Sequence, residues 1–369
     1  MLYIHKHVYT LKKKNIFIIT KPSNFSQFQQ FMHRFCRQFY VFCIVCCFVG
    51  FSEAFAWGEA GHKTVAAIAD QLIEHSNASR QVNTLLLQGE SLVKISIWAD
   101  CIKGKSCNAK PEEILAYIAT NPKHADYHYT DIPFQINTYQ DGGVGTHDSD
   151  IVQILKQAIS VLQGKAEMMN NPHQFTPRQA LFLLVHLIGD LHQPLHVGVG
   201  YVGDDGLFVV PENTLLIDGR SINNTYGGNA LLLSENLRPT RPPKGNPNSL
   251  HAYWDTTVIE NAMYRLHAKS PVEFAKLLLE LNHETTINVG NPILWPYEWA
   301  KDTLAISKLA HAGLEIKNTM QLTGRNGDIF SAWIVSLPEG YAQRSSSIAE
   351  HQIIKSGYRL AALLKAIWP

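Results

Sequence analysis

The stretch from His186 to His196, HLIGDLHQPLH, constrains the fold of this chain more than any other. It extends an apolar run containing Leu183, Leu184, Val185, Leu187 and Ile188. His186 and Asp190 stand at i and i+4, so both face one side of a helix. His192 and His196 repeat that spacing, with Pro194 bending the chain between them. Three histidines and an aspartate cannot be buried in such a segment cheaply unless they have partners. A divalent ion such as zinc supplies partners, because imidazole and carboxylate suit it. The alternative is core histidines satisfied by the backbone.

Other clusters repeat the theme. LHAYWD places His251 and Asp255 at i, i+4, which suggests two facing helices sharing a metal cluster. HADYHYTDIP contains His124, Asp126, His128 and Asp131, one or two of them as ligands and the rest as support. Asp100 in SIWAD, followed by Lys103, reads alone as a cap or turn former. Trp57 and His62 in WGEAGH read alone as a packed surface Trp and a capping His. They gain meaning from the segment before them.

From Met32, Arg34 and Arg37 precede an apolar run from Phe39 to Gly50, and Ala54-Phe55-Ala56 then gives a small-x-small pattern. Residues 32–56 therefore read as a secretory signal, its apolar run too short to span a bilayer as a permanent helix; the alternative is an amino-terminal membrane anchor. Residues 1–31 form an upstream extension, with either Met1 or Met32 as the start. Cleavage near Ala56/Trp57 would leave Trp57 with a free amine, whose nitrogen and carbonyl oxygen can chelate a metal together with His62. Export would place the protein in the periplasm or the medium. The downstream cysteines are Cys101 and Cys107. In an oxidising compartment they read as one local disulfide, the alternative being two free thiols.

Residues 1–56 hold seven Lys/Arg and one acid, which leaves 25 basic and 30 acidic residues downstream, a net of −5. An acidic body has no broad basic face for nucleic acid, so any phosphate handled here falls to bound cations. Residues 57–369 read as one domain, with no Pro/Gly/Ser-rich linker and mainly helical periodicity. The expected helices are His62–Glu74, Asp148–Leu162, a strong one opened by Thr176-Pro177 and running to Pro194, Leu250–Leu266, Pro271–Leu281, Tyr297–Ala312 and Ser347–Ile367. One β-hairpin is expected, pairing 207–210 with 215–217. The fold class is mainly α: a single-domain bundle of long helices with a small hairpin insertion.

With these residues in hand, the chain resembles the S1/P1 nuclease family, relatives of the zinc-dependent phospholipases C. The matching pieces are WGEAGH, WAD at 98–100, YHYTD at 127–131, HLIGDLHQPLH, GGN at 227–229, LHAYWD and the carboxy-terminal SGYRLAALLKAIW. The resemblance implies a helical fold with three zinc ions in a cleft. One zinc would take Asp100, His128, His186 and Asp190; a second, the Trp57 amine and carbonyl, His62 and a bridging Asp190; the third, His196, His251 and Asp255. His192 is no ligand in that scheme. Lys103 and Asn229 would contact phosphate, while Tyr129 and Asp131 would hold a nucleobase. The implied reaction is hydrolysis of single-stranded RNA or DNA to 5′-phosphates, with 3′-nucleotides also accepted. Asp100 would orient water and Asp190 bridge the close metal pair. A secreted monomer is expected; a zinc phospholipase C is the alternative. About thirty residues between His196 and Gly227 exceed the family's expected spacing, so residues 198–226 should emerge beside the cleft.

Overall fold

A central helix dry on every side organises the chain, because the apolar residues of 180–191 surround the whole helix axis. In the computed structural model the described residues are 57–104, 111–165, 171–217, 221–234, 248–281, 288–323 and 329–369. The signal and upstream segments, 1–56, and Cys107 lie outside them. The described residues fall in one compact unit.

The helices in chain order are α1 (Glu59–Ile73), α2 (Asn77–Leu85), α3 (Leu92–Ile95), α4 (Trp98–Gly104), α5 (Pro111–Thr120), α6 (Ile151–Leu162) and α7 (Pro177–Leu191). After them come α8 (Leu250–Ala252), α9 (Val258–Arg265), α10 (Pro271–Leu281), α11 (Trp295–His311) and α12 (Tyr341–Ile367). The architecture is mainly α, as the periodicity predicts.

α7 is the buried centre: every residue from Ala180 to Leu191 is buried. It starts in a capping box, with Thr176 Oγ1 accepting from the Gln179 N–H and the Gln179 side chain accepting from the Thr176 N–H, and Pro177 holds the first turn. α1, α4, α6, α11 and α12 pack around it. Its carboxy-terminal end is tied down by polar side chains of the surrounding helices. Thr303 Oγ1 donates to the Leu191 carbonyl at 2.7 Å, Ser307 Oγ to that of Pro194 at 2.6 Å and Gln352 Nε2 to that of His192 at 2.9 Å. Carbonyls without a helical partner are thus satisfied where the chain leaves α7 for the 3₁₀ turn Pro194–His196.

The expected helix over 250–266 is interrupted. A π-helical turn, Tyr253–Thr257, separates α8 from α9 and carries Asp255; such turns frequently occur at functional sites.

The strands are β1 (Ile132–Pro133), β2 (Gly198–Val199), β3 (Tyr201–Gly203), β4 (Phe208–Val209), β5 (Ile222–Asn224), β6 (Leu231–Leu233), β7 (Glu315–Thr323) and β8 (Ile329–Ser336). They make three small sheets, ordered β1-β2, β4-β3-β5 and β6-β8-β7. The expected 207–210/215–217 hairpin is not formed. The reversal comes earlier: Gly206, at φ +77, ends a turn in which its N–H donates to Gly203 O, so β4 pairs back onto β3. Residues 214–216 form a 3₁₀ turn instead, because Asn213 Oδ1 accepts from the Leu215 N–H and starts a local turn. The long β7–β8 pair gave no strand signal in the sequence analysis.

α12 and α1 cross closely at Gly357, where a Cβ would come within 2.4 Å of Ile68 Cγ2 and 2.6 Å of Ile68 Cβ. An added methyl must shift a stiff, β-branched core residue. Gly357→Ala is expected to destabilise the protein by roughly 1–3 kcal/mol, read from urea unfolding. A loss below about 0.5 kcal/mol, the range of surface substitutions, would show that the crossing is looser than described.

Candidate metal centre

Three of the histidines are aimed by hydrogen bonds made on their far sides. His186 Nδ1 is 2.6 Å from the Ser96 carbonyl, His196 Nδ1 is 2.7 Å from that of His128, and His251 Nδ1 is 2.8 Å from that of Gly227. A carbonyl only accepts, so each Nδ1 carries the proton and each Nε2 presents a lone pair. His62 of α1 lies flat against His186, ring centroids 3.8 Å apart and planes 18° off parallel. Gly189 makes this approach possible: a Cβ there would stand 2.8 Å from His62 Nδ1.

Three groups of donors result: His62, Asp100 and His186; His128, His186 and Asp190; and His196, His251 and Asp255. All are buried. Within them Asp190 Oδ2 lies 2.9 Å from His128 Nδ1 and 3.2 Å from His186 Nε2, and Asp190 Oδ1 lies 3.0 Å from His62 Nε2. Yet His62 Nε2 and Asp190 Oδ1 have no hydrogen-bond partner, so the pair is close without pointing at each other. The same holds for Asp255 Oδ2, 3.2 Å from His251 Nε2, and His196 Nε2 is also without a partner. Four donors about 2.0–2.1 Å from a shared tetrahedral centre lie about 3.3–3.4 Å apart. Orphaned lone pairs at such spacing fit cations at their common foci.

Electrostatics agree. Burial lowers the His62 imidazole, with His186 adding to it. Burial also takes His196 down to about 4, His251 to about 3 and, with Lys103, His128 to about 4. Those four rings are neutral and free to ligate. At His186 burial is outweighed by Asp190 and Asp100, and its pKa rises. At Asp100 burial is outweighed by Lys103, His186 and His128, which take it to about 2. At Asp190 His186 and His62 outweigh burial and hold the carboxyl well below its usual range. Asp255 is the opposite case: burial pushes it well above the carboxylate range despite the 2.6 Å hydrogen bond from Gln193 Nε2. A neutral-imidazole, buried-carboxylate set calls for positive charge, and a bound cation supplies it.

His192 stands outside the three groups. Its Nδ1 donates to Ile188 O at 2.7 Å and its Nε2 accepts from Arg359 Nη1 at 3.0 Å, so both nitrogens are used. His124 is likewise engaged, with the Asn121 carbonyl at 2.9 Å. Trp57 is buried, and the neighbouring Gly58 N–H donates to the Asp255 carbonyl at 2.7 Å, which brings the start of the described chain to the third group.

A cavity of about 230 Å³ opens over the donors. His128, His196 and His251 line it together with Lys103, Tyr129, Asp131, Tyr226 and Asn229. All four substrate residues expected from the sequence are therefore at one cavity. Lys103 Nζ is 2.8 Å from Asp100 Oδ1. Asp131 Oδ2 accepts from Asn224 Nδ2 at 3.0 Å, and Tyr129 donates its hydroxyl proton to Asp126 Oδ1 at 3.1 Å. Sequence reasoning missed Gly189, Gln193, Asn224 and Tyr226. The Gly-Gly pair after Tyr226 was the one available signal, marking a left-handed turn at the site.

A protein-family model described as S1/P1 Nuclease matches residues 57–369. Nuclease S1 of Aspergillus oryzae is 27% identical over 328 residues, covering 85% of this chain and 92% of that protein. Endonuclease 4 of Arabidopsis thaliana is 25% identical over 317 residues, covering 85% and 90%. Nuclease P1 of Penicillium citrinum is 25% identical over 329 residues, covering 84% and 97%.

The contact at Gly189 is directly testable. Gly189→Ala should push His62 away from His186 and weaken zinc binding about 10–100-fold, the usual range for a disturbed ligand orientation. Competition with a chromophoric chelator would measure it, with circular dichroism reporting the fold. Unaltered zinc affinity in a folded variant would remove His62 from the metal centre.

Proposed function

Because this chain belongs to the S1/P1 nuclease family, and so hydrolyses phosphodiester bonds of nucleic acid, we propose that it is an exported enzyme of three zinc ions that cleaves single-stranded RNA and DNA to 5′-phosphates and also takes 3′-nucleotides. The observation that carries this is that His62 Nε2 and Asp190 Oδ1, and likewise His251 Nε2 and Asp255 Oδ2, lie buried about 3 Å apart without bonding each other. In this reading Asp100, His128, His186 and Asp190 hold one ion. Trp57, His62 and Asp190 hold the second, and His196, His251 and Asp255 the third. Asp190 suits the shared role, since its two oxygens face different histidines.

Cations bound there supply Lewis acidity: they acidify water and neutralise phosphate charge. Asp100 orients the attacking water and accepts its proton. Lys103 Nζ and the Asn229 side-chain amide hold phosphate oxygens as the P–O3′ bond breaks. Asn229 is aimed by its own turn, its Nδ2 donating to Tyr226 O at 2.9 Å. Tyr129 stacks on a base, which a paired strand cannot offer. Asp131 accepts from the base edge, its second anchor being Asn224.

Export belongs to the same reading. Residues 32–56 serve as signal, and removal after Ala56 frees the Trp57 amine. The nearness of Gly58 to Asp255 supports a role for that terminus at the metals. Among the described residues no helix is long and apolar enough to cross a membrane. A Cys101–Cys107 bridge fits an oxidising compartment, supported by the disulfide-bonded state of Cys101.

Trimmed protein should contain three zinc ions per chain and cleave single-stranded DNA and RNA in preference to duplex, with phosphatidylcholine untouched. Metal analysis with a parallel substrate panel checks this. Asp190→Asn should cost more activity and zinc than any other single ligand change; near-normal turnover at full zinc content contradicts the bridging role. Protein retaining Met ahead of Trp57 should bind less zinc, and three equivalents there would exclude the terminal amine. Tyr129→Ala should raise KM for a dinucleotide about fivefold or more, from roughly 1–3 kcal/mol of stacking.

A further inference from the structure

The cavity carries a second aromatic side chain with no part in the assignments above. Tyr226 lines it together with Tyr129 and is 41% exposed, at the mouth of a site whose donors are all buried. Its backbone is in the left-handed region, φ +51, which disfavours a bulky side chain. Gly227 and Gly228 follow at φ +59 and +83, so glycine would serve more comfortably at 226 as well. Strain of this kind persists where the surroundings over-determine it, and it gathers at functional sites.

The surroundings do determine it. The Tyr226 N–H donates to Asn224 Oδ1 at 2.7 Å, and the Tyr226 carbonyl accepts from the Asn229 N–H at 3.0 Å and Nδ2 at 2.9 Å. Asn224 in turn donates to Asp131 Oδ2. One asparagine therefore connects the proposed base-edge reader to Tyr226. Phe330 of β8 meets the Tyr226 ring nearly edge to face, centroids 5.8 Å apart at 81°. The ring is thus steadied by a separate sheet. Immediately after it, Gly227 presses on the metal centre: its carbonyl orients His251, and a Cβ there would stand 2.8 Å from Leu195 O. Tyr226 is therefore held at a fixed distance from the donors.

We propose that Tyr226 is a second stacking platform, so that the cleft grips two unpaired bases, one on Tyr129 and one on Tyr226. The proposal rests on the nuclease reading and deepens it: the preferred substrate carries a base on each side of the cleaved phosphate. Asn224 and Tyr226 both lie in the 198–226 segment, which is expected from the sequence to emerge beside the cleft. Stacking tolerates any base, because each has a π-face. The platform selects for length and single-strandedness, not for sequence.

The test compares the mature full-length protein with Tyr226→Ala, Tyr226→Phe and Tyr226→Gly, using thymidylyl-(3′→5′)-thymidine and the one-base diester thymidine 3′-(methyl phosphate). Tyr226→Ala should raise KM for the dinucleotide at least fivefold, in line with the loss of one stacked base. Its effect on the one-base diester should be less than half as large, and the change should fall on KM and not on kcat. Tyr226→Phe should restore the dinucleotide KM, since the ring and not the hydroxyl is used. Tyr226→Gly should unfold at a higher temperature than Tyr226→Ala, by relief of the left-handed strain, and should bind the dinucleotide no better. Equal KM changes on the two substrates, or none on either, would overturn the platform. Wild type inactive on both substrates would overturn it together with the nuclease reading.

Discussion

Everything in this structure depends on the placement of ionisable donors in a helix that has no wet face. An unpartnered polar group in such surroundings costs roughly 2–7 kcal/mol, and of the eight ionisable side chains that α7 gathers with its neighbours five (His62, Asp100, Asp190, His196 and Asp255) have an atom with no hydrogen-bond partner. Burying a Leu or Ile returns roughly 1.5–3 kcal/mol, so packing alone does not offset many orphans. The chain pairs few of the donors with one another, His128 with Asp190 and His186 being the exceptions. It turns their lone pairs toward common points and uses backbone carbonyls to fix them. Ser96, His128 and Gly227 supply those carbonyls from three separate segments. The orientation of these three imidazoles is thereby a property of the tertiary fold, and local disruption far along the chain reaches the metal centre through these carbonyls.

The surrounding architecture divides into two tasks. The helices α1, α4, α7, α11 and α12 build and clamp the centre, with Thr303, Ser307 and Gln352 closing the carbonyls where α7 ends. The small sheets build the wall of the cleft. β1 and β2 pair in parallel, joining the strand after Asp131 to the one after His196. β3 anchors Asp131 through the Tyr201 hydroxyl, 2.6 Å from the Asp131 carbonyl, and β5 does so through Asn224. The donors sit on helical turns, and the short strands brace the loops and turns that line the cavity.

His186, Asp190, His196, His251 and Asp255 were legible in the sequence because the period of a helix makes an i, i+4 pair visible as a string, whereas His62 and Asp100 took their weight from the family resemblance. The same reasoning located the central helix, its cap and most of its neighbours. It failed where geometry is set by long-range contact. His251 and Asp255 share a face through a π-helical turn, which no spacing announces. The close seat of His62 depends on Gly189, over a hundred residues away and unremarkable inside an apolar helix. The hairpin was misplaced because a Pro-Glu-Asn sequence reads as a turn, whereas Gly206 reverses the chain first. β8 is a run of apolar residues without clean alternation, since β6 and β7 flank it on both edges. Tyr226 was invisible for a different reason: an exposed tyrosine is ordinary, and only its left-handed backbone marks it.

The charge balance then explains the form of the cleft. Downstream of residue 56 acids outnumber bases by five, and among the residues lining the cavity Lys103 is the one permanent cation. A polyanion is not drawn to such a surface by a broad field, because affinity of that kind comes from many phosphate contacts. Grip must come from elsewhere within a few ångströms of the scissile bond. Cations at the foci of the buried donors give charge that acts only at short range, and aromatic faces give attraction that asks nothing of the backbone. If the enzyme selects unpaired strands, as proposed above, the acidic body and the aromatic walls suffice for it, because a duplex does not present its base faces.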